Sequence, residues 1–193
     1  MSKKHIITIA GKLGSGKSST AKMVSNLLNY EHLSAGDFMR DMAKDRGISL
    51  IELNKIAEQD ESIDRELDER NREIGKRENV VIDGRLGFHF IPESFKVFLE
   101  LDPEIASLRI LKDRETNSNR HTETNGSFDT KEAIMESIDD RLLSERKRYK
   151  NLYGIEDLTS HNNFDLVIDT SQIPLEKVSQ QIIEEYNKWL SNS

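Results

Sequence analysis

Eight consecutive residues, Gly11-Lys12-Leu13-Gly14-Ser15-Gly16-Lys17-Ser18, have the spacing G-x-x-x-x-G-K-S. Residues of these types at this spacing can hold a chain of phosphates. Glycines admit positive φ angles and let backbone N–H groups turn inward onto phosphate oxygens. Lys17 is long enough to reach the β- and γ-phosphates, where its charge would oppose the charge developing on a transferred phosphoryl group. The Ser18 hydroxyl can ligate Mg²⁺. A helix opening at Ser18 adds the positive end of its dipole. Gly11, Lys12, Leu13, Gly14, Ser15, Gly16, Lys17, Ser18 and Ser19 are therefore the expected nucleotide-binding set, with ATP and Mg²⁺ as ligands.

Other residues could complete such a site. Asn79-Val80-Val81-Ile82-Asp83 is an apolar run ending in a carboxylate. That form suits a strand whose terminal Asp positions a water on Mg²⁺; the plainer reading is an Asp capping a turn before Gly84. Asp64 and Asp68 are four apart and share one helical face. Carboxylates there, with Arg85 opposite, could read a base that offers an amino donor beside ring acceptors. The plainer reading makes them solvated partners of Arg65 or Arg72 along the helix. Arginines suit phosphoryl transfer because the planar fork binds two oxygens and stays charged. Arg109 and Arg114 stand on one side of a polar stretch, and Arg141, Arg146 and Arg148 on the other. The two Asn-Lys pairs, at Asn54 and Asn187, lack the following Asp of a guanine-reading motif. The five histidines are scattered without metal-ligand spacing, so zinc is not expected.

The elements that must hold these residues alternate. His5 to Ala10 reads as a buried strand and Ser18 to Asn29 as a helix with Ala21, Val24 and Leu28 inward. Helices follow at Gly36 to Arg46, Ser49 to Glu58 and Glu61 to Arg77, the last with a narrow stripe of Ile63, Leu67 and Ile74. Strands at Asn79 to Asp83, Phe95 to Leu101 and Phe164 to Asp169 alternate with helices beginning at Pro103, Lys131 and Pro174. Thr116 to Thr130 has Phe128 as its one large apolar residue and is expected to be a mobile loop. Alternation of this kind implies one α/β domain over 1–193, a mostly parallel sheet covered on both faces, and a ligand crevice at the carboxyl ends of its strands.

Composition narrows the partners. The 193 residues carry a net charge of -7 and 33% charged side chains, so no global field attracts nucleic acid or anionic lipid. Anions must be held by local cations. No cysteine is present, which excludes disulfides and thiolate chemistry. No run is long enough to span a bilayer, and the short apolar segment near the start is no signal peptide. A cytoplasmic monomer acting on small nucleotides, without nucleic-acid or membrane partners, is expected.

Longer segments carry a resemblance. Leu33-Ser34-Ala35-Gly36-Asp37-Phe38-Met39-Arg40 resembles the acceptor-binding segment of P-loop nucleoside monophosphate kinases. Glu61 to Arg70, Ile82-Asp83-Gly84-Arg85-Leu86, Lys147 to Ile155 and Phe164 to Ser171 resemble the short, archaeal-type cytidylate kinases. The resemblance extends from His5 to the last helix. It implies a five-stranded parallel P-loop fold, with Leu33 onward in a short strand, an acceptor segment at about 34–77 and a lid at about 115–130. It implies that Arg40 binds the acceptor phosphate and that Asp37 or Asp83 joins Ser18 near Mg²⁺. It further implies that Arg114, Arg141 and Arg148 serve the transferred phosphoryl group alongside Lys17. Leu86 departs from larger bacterial cytidylate kinases, which have an Asp there that helps read cytosine; the Gly-Phe-Pro-Arg of adenylate kinases is also absent. The activity implied is phosphorylation of CMP or dCMP by ATP. Adenylate or another small acceptor, and an ATP-binding module with no acceptor, remain alternatives.

Overall fold

The computed structural model describes residues 3–116 and 131–192. A five-stranded sheet runs through the middle: β1 (Ile6–Gly11), β2 (Glu31–Ser34), β3 (Val80–Asp83), β4 (Phe95–Glu100) and β5 (Leu166–Asp169). Their spatial order is β2-β3-β1-β4-β5, and every pairing is parallel. The helices are α1 (Lys17–Leu28), α2 (Ala35–Asp45), α3 (Leu50–Ala57), α4 (Ser62–Ile74), α5 (Gly87–Phe90), α6 (Pro103–Thr116), α7 (Lys131–Tyr153) and α8 (Leu175–Ser191). The expected lid lies almost wholly outside the described residues.

The apolar runs become central strands because both sheet faces are covered. Every residue of β1 is buried. On one face, Ile7, Ile9, Val97 and Leu99 pack against Ala21 and Val24 of α1 and Val178, Ile182 and Tyr186 of α8. On the other, Ile6, Val80 and Ile82 pack with Ile74 of α4 and Ile91. Two smaller clusters build outward from the sheet. Met42, Ala43, Leu53, Ala57 and Ile63 join α2, α3 and α4. Leu86, Phe88, Tyr149 and Leu158 bring α7 against the segment after β3. A Ser49–Glu52 capping box starts α3, each side chain bonding the other residue's backbone N–H.

Register sets the chemistry at the carboxyl edge. Ser34 pairs with Asp83, Asp83 with Ile9, and Gly11 with Leu99. The ends of β2, β3, β1 and β4 thus converge, and the connection from β1 runs to β2 at one edge of the sheet while that from β4 runs to β5 at the other, which opens a ligand crevice between β1 and β4. Two local expectations shift. The helix expected over 61–77 ends at Ile74, because Gly75 follows and the next residues turn into β3. The one-turn α5 was not expected. Gly87 favours it: a Cβ there would sit 3.0 Å from Thr8 of β1, so a side chain would force the turn or the strand to give by a few tenths of an ångström.

Ile182 is fully buried in the main cluster, whereas Leu27 is 62% exposed. Ile182→Ala is expected to cost about 2–5 kcal/mol in urea unfolding, and Leu27→Ala to stay within about 0.5 kcal/mol. Equal losses would show that α8 is not a core helix.

Candidate active site

The turn between β1 and α1 is shaped by its glycines. A Cβ on Gly11 would lie 2.5 Å from the Leu99 carbonyl oxygen, so the loop can start this close to β4 only without a side chain. Gly14 and Gly16 take φ of 77° and 84°, in the left-handed region. Gly16 is the N-cap of α1 and supplies no side-chain cap, and no acidic residue occupies the first turn. A helix start with neither a side-chain cap nor a carboxylate in its first turn suits an anion. Lys17 Nζ is held over the loop by the carbonyls of Gly11 and Lys12, at 3.0 and 2.8 Å. Neutral carbonyls are weaker partners for a full charge than phosphate oxygens.

Lys12, by contrast, turns aside to Glu100 at 2.6 Å. Burial raises the Glu100 pKa, but bonds from Lys12 and His161 outweigh that and hold it below the usual carboxylate value. The side chain of Lys12 therefore pins the loop to the end of β4, and His161 extends the tie to the segment before β5. Arg109 serves a similar end, donating to the Thr170 carbonyl after β5 at 2.7 Å.

Asp83, at the end of β3, is 4% exposed. Ser18 Oγ and Ser34 Oγ donate to its Oδ1 at 2.9 and 3.2 Å, and His32 Nε2 meets its Oδ2 at 2.8 Å. These donors fit a Mg²⁺ site of phosphate-binding loops. A hydroxyl that gives its proton to Asp83 keeps its lone pairs for a cation. Among the described residues no cluster of three or more carboxylate or histidine groups forms a protein cage, and Mg²⁺ ordinarily needs only one or two protein groups plus phosphate and water. The Asp37 side chain is 59% exposed and pairs with Arg40 one turn on.

A second polar cluster joins α4, α7 and the residue after β3–Gly84. Arg148 Nε lies 3.0 Å from Asp64 Oδ2, and Arg85 Nε lies 2.6 Å from Glu145 Oε2. The Asp64–Arg148 contact is an ion pair by distance without the alignment of a hydrogen bond. Tyr153 donates to Asp68, its hydroxyl 2.9 Å from both oxygens. Asp64 and Asp68 are buried, at 2% and 5% exposure, so the reading of solvated helix-surface pairs is wrong for both. Arg65 pairs with Glu61 at the surface instead. Burial pushes the Asp64 carboxyl up to about 6 despite the opposing pull of Arg148, and pushes Asp68 upward against the bond from Tyr153. His32, Glu145, Tyr149 and Tyr153 carry these networks and were not singled out from sequence. Nothing local marks them; the Arg148 guanidinium lies over the ring of Tyr149, 5.1 Å from its centroid, a contact visible only in the structure. The side chains of Arg114 and Arg141 lie outside the described residues. A cavity of about 390 Å³ opens between the loop start and α7, lined by Gly11, Lys12, Arg85, Phe98, Leu142 and Arg146 among others.

The sequence profile described as the cytidylate kinase-like family matches residues 6–172. The chain belongs to the cytidylate kinase-like family. Relatives named cytidylate kinase include that of Methanocaldococcus jannaschii, 36% identical over 90% of this chain and 92% of its own, and that of Natronomonas pharaonis, 37% identical over 87% and 82%. A protein of Lacinutrix mariniflava named S-adenosylmethionine-dependent nucleotide dehydratase is 36% identical over 94% of this chain, which spans only 36% of that longer protein. Among solved structures, shikimate kinase from Bacteroides thetaiotaomicron superposes with a TM-score of 0.62 at 15% identity, over 93% of this chain and 96% of that one. A gluconokinase from Sinorhizobium meliloti gives 0.58 at 16%, over 100% and 97%. These identities speak to the fold alone, a P-loop kinase fold.

Asp64 holds its proton more tightly folded than unfolded, where the ordinary value is 3.8. Its contribution to stability is therefore full below about pH 4 and lost as pH rises through about 6. Carboxyl ¹³C titration is expected to place Asp64 near 6, and Arg148→Met to move it higher. A lower value in that variant would mean that Arg148 does not face Asp64.

Proposed function

We propose that this protein transfers the γ-phosphoryl group of ATP to a nucleoside monophosphate, with CMP or dCMP as the preferred acceptor. The observation that carries the reading is the meeting, at one sheet edge, of a glycine-shaped anion loop and a second cluster of arginines held by buried carboxylates. The first accounts for a triphosphate and the second for an acceptor. The matches to cytidylate kinases over most of both chains support the choice of acceptor.

In this reading an oxygen of the acceptor phosphate bonds to the γ-phosphorus as the bond to the β,γ-bridging oxygen breaks, leaving ADP and CDP. The loop amides and Lys17 hold the β- and γ-phosphates and oppose the charge that develops on the equatorial oxygens. Ser18 and, through water, Asp83 would hold Mg²⁺, with Asp37 a further candidate, and the ion would supply positive charge that neutralises the phosphates. Arg40 binds the acceptor phosphate. Arg85 and Arg148 present fixed forks to the acceptor side, because Glu145 and Asp64 set the planes of the guanidinium groups. Asp64 or Asp68 accepts from the cytosine amino group and an arginine donates to its ring acceptors. A purine fits such a site poorly, by size and by leaving buried polar groups unpaired. Arg114, Arg141 and Arg148 are proposed to act on the transferred group with Lys17.

Three measurements test this. With ATP and Mg²⁺, CMP or dCMP should be phosphorylated faster than AMP, GMP or UMP at equal concentration; faster turnover of AMP would replace the cytidylate reading with an adenylate one. Lys17→Ala should lower kcat by about two orders of magnitude or more with an unchanged circular dichroism spectrum, and retention of most activity would remove Lys17 from catalysis. Arg40→Ala should raise KM for the monophosphate far more than KM for ATP. The reverse pattern would place Arg40 on the ATP side.

A further inference from the structure

His32 sits on the edge strand β2, in register with Val81, yet its ring reaches past that neighbour to the carboxylate at the end of β3. The contact is short, 2.8 Å, and shielded: the His32 side chain is 23% exposed and that of Asp83 6%. Asp83 is thereby bonded on both oxygens, Oδ1 taking Ser18 and Ser34 and Oδ2 taking His32. The three partners have different attachments. Ser18 belongs to α1, whereas His32 and Ser34 stand on β2. His32 is the one of them that reaches Oδ2.

A strand-terminal Asp has two soft side-chain torsions. Bonds to Oδ1 alone leave the carboxylate free to rotate about the axis through that oxygen; a second bond on Oδ2 removes that freedom. The plane of the carboxylate in turn sets where the Ser18 proton points, and so where the Ser18 lone pairs point. We propose that His32 is a positioning residue for the Mg²⁺ site: by donating from Nε2 to Asp83 Oδ2, it fixes the Asp83 plane and through it the Ser18 hydroxyl. The role needs only the neutral ring with its proton on Nε2, since an ionised carboxylate accepts and does not donate. Such outer partners of metal-site ligands commonly change metal affinity by about 10–100-fold when removed. The inference rests on the reading of Ser18 and Asp83 as the Mg²⁺ groups given above.

The test compares ATP affinity by calorimetry in EDTA and in saturating Mg²⁺, taking the ratio of the two dissociation constants as the readout, with the Mg²⁺ half-saturation of turnover measured alongside. His32→Leu keeps bulk and loses the donor. It is expected to lower the ratio about tenfold, to raise the Mg²⁺ requirement of turnover, and to leave affinity in EDTA unchanged. His32→Gln, whose amide nitrogen can reach the place of Nε2, should restore the ratio. His32→Asn, whose shorter amide stops at the place of Nδ1, should not; it supplies the same readout should His32→Leu fail to fold. A ratio in His32→Leu equal to that of the parent, or a His32→Gln variant no better than His32→Leu, overturns the inference. Asp83→Asn separates the two levels of the argument. If it abolishes the Mg²⁺ effect while His32→Leu leaves it intact, only the role of His32 falls; if neither variant alters it, the Mg²⁺ reading of Asp83 falls and the inference with it.

Discussion

A chain with a net charge of -7 that handles polyanions must concentrate positive charge locally and hold it in place. The described site does this by pairing. Lys12 is set by Glu100, Arg40 by Asp37, Arg85 by Glu145 and Arg148 by Asp64. Each carboxylate cancels part of the field its cation could offer a phosphate, but it also spares the cation an ordering step when ligand binds. The exchange differs with burial. The Arg40–Asp37 pair is half exposed, and such pairs contribute at most about 1 kcal/mol to stability. The Arg148–Asp64 pair is almost closed off from water, where removing one partner leaves a costly buried charge. The first can swing toward a ligand cheaply; the second is part of the framework.

The sheet makes the pairing possible. Lys12, Asp83, Arg85 and Glu100 stand at or just beyond the ends of β1, β3 and β4, and parallel register brings those ends into one row. Gly11 can approach Leu99 because it has no Cβ, and Asp83 can meet Ser34 because β2 pairs with β3 in that register. The interior clusters hold the strands, and the strands hold the row. A change of one residue in register would turn Asp83 from the crevice into the opposite face.

The polar contact between α4 and α7 is of another kind. Asp64, Asp68 and Asn71 are buried on a helix whose apolar stripe is only Ile63, Leu67 and Ile74. The helix is buried more widely than its apolar residues alone would explain. What fills the difference is a set of partners from α7, Arg148 and Tyr153 among them. A buried polar interface of this type is stable only while every group stays paired, and it joins the expected acceptor segment to the helix that follows the expected lid.

Some of this was legible along the chain and some was not. The phosphate loop, the alternation of strands and helices and the carboxylate ending β3 are local: glycine spacing, apolar runs and one terminal Asp each impose their conformation over a few residues. The family resemblance rests on such short segments too. Asp64, Asp68, Arg85 and Arg148 stood out by type, but their pairing did not, because residues 64 and 148 are brought together only where α4 meets α7 in the folded structure. His32 was read as one of five scattered histidines, since its relation to Asp83 spans 51 positions and exists only through the β2–β3 register. The sequence by itself determined which elements form and where a phosphate can be held, because those depend on neighbours along the chain. The tertiary structure decided which charge faces which, because Coulomb and hydrogen-bond energies act over a few ångströms of space, whatever the separation in sequence.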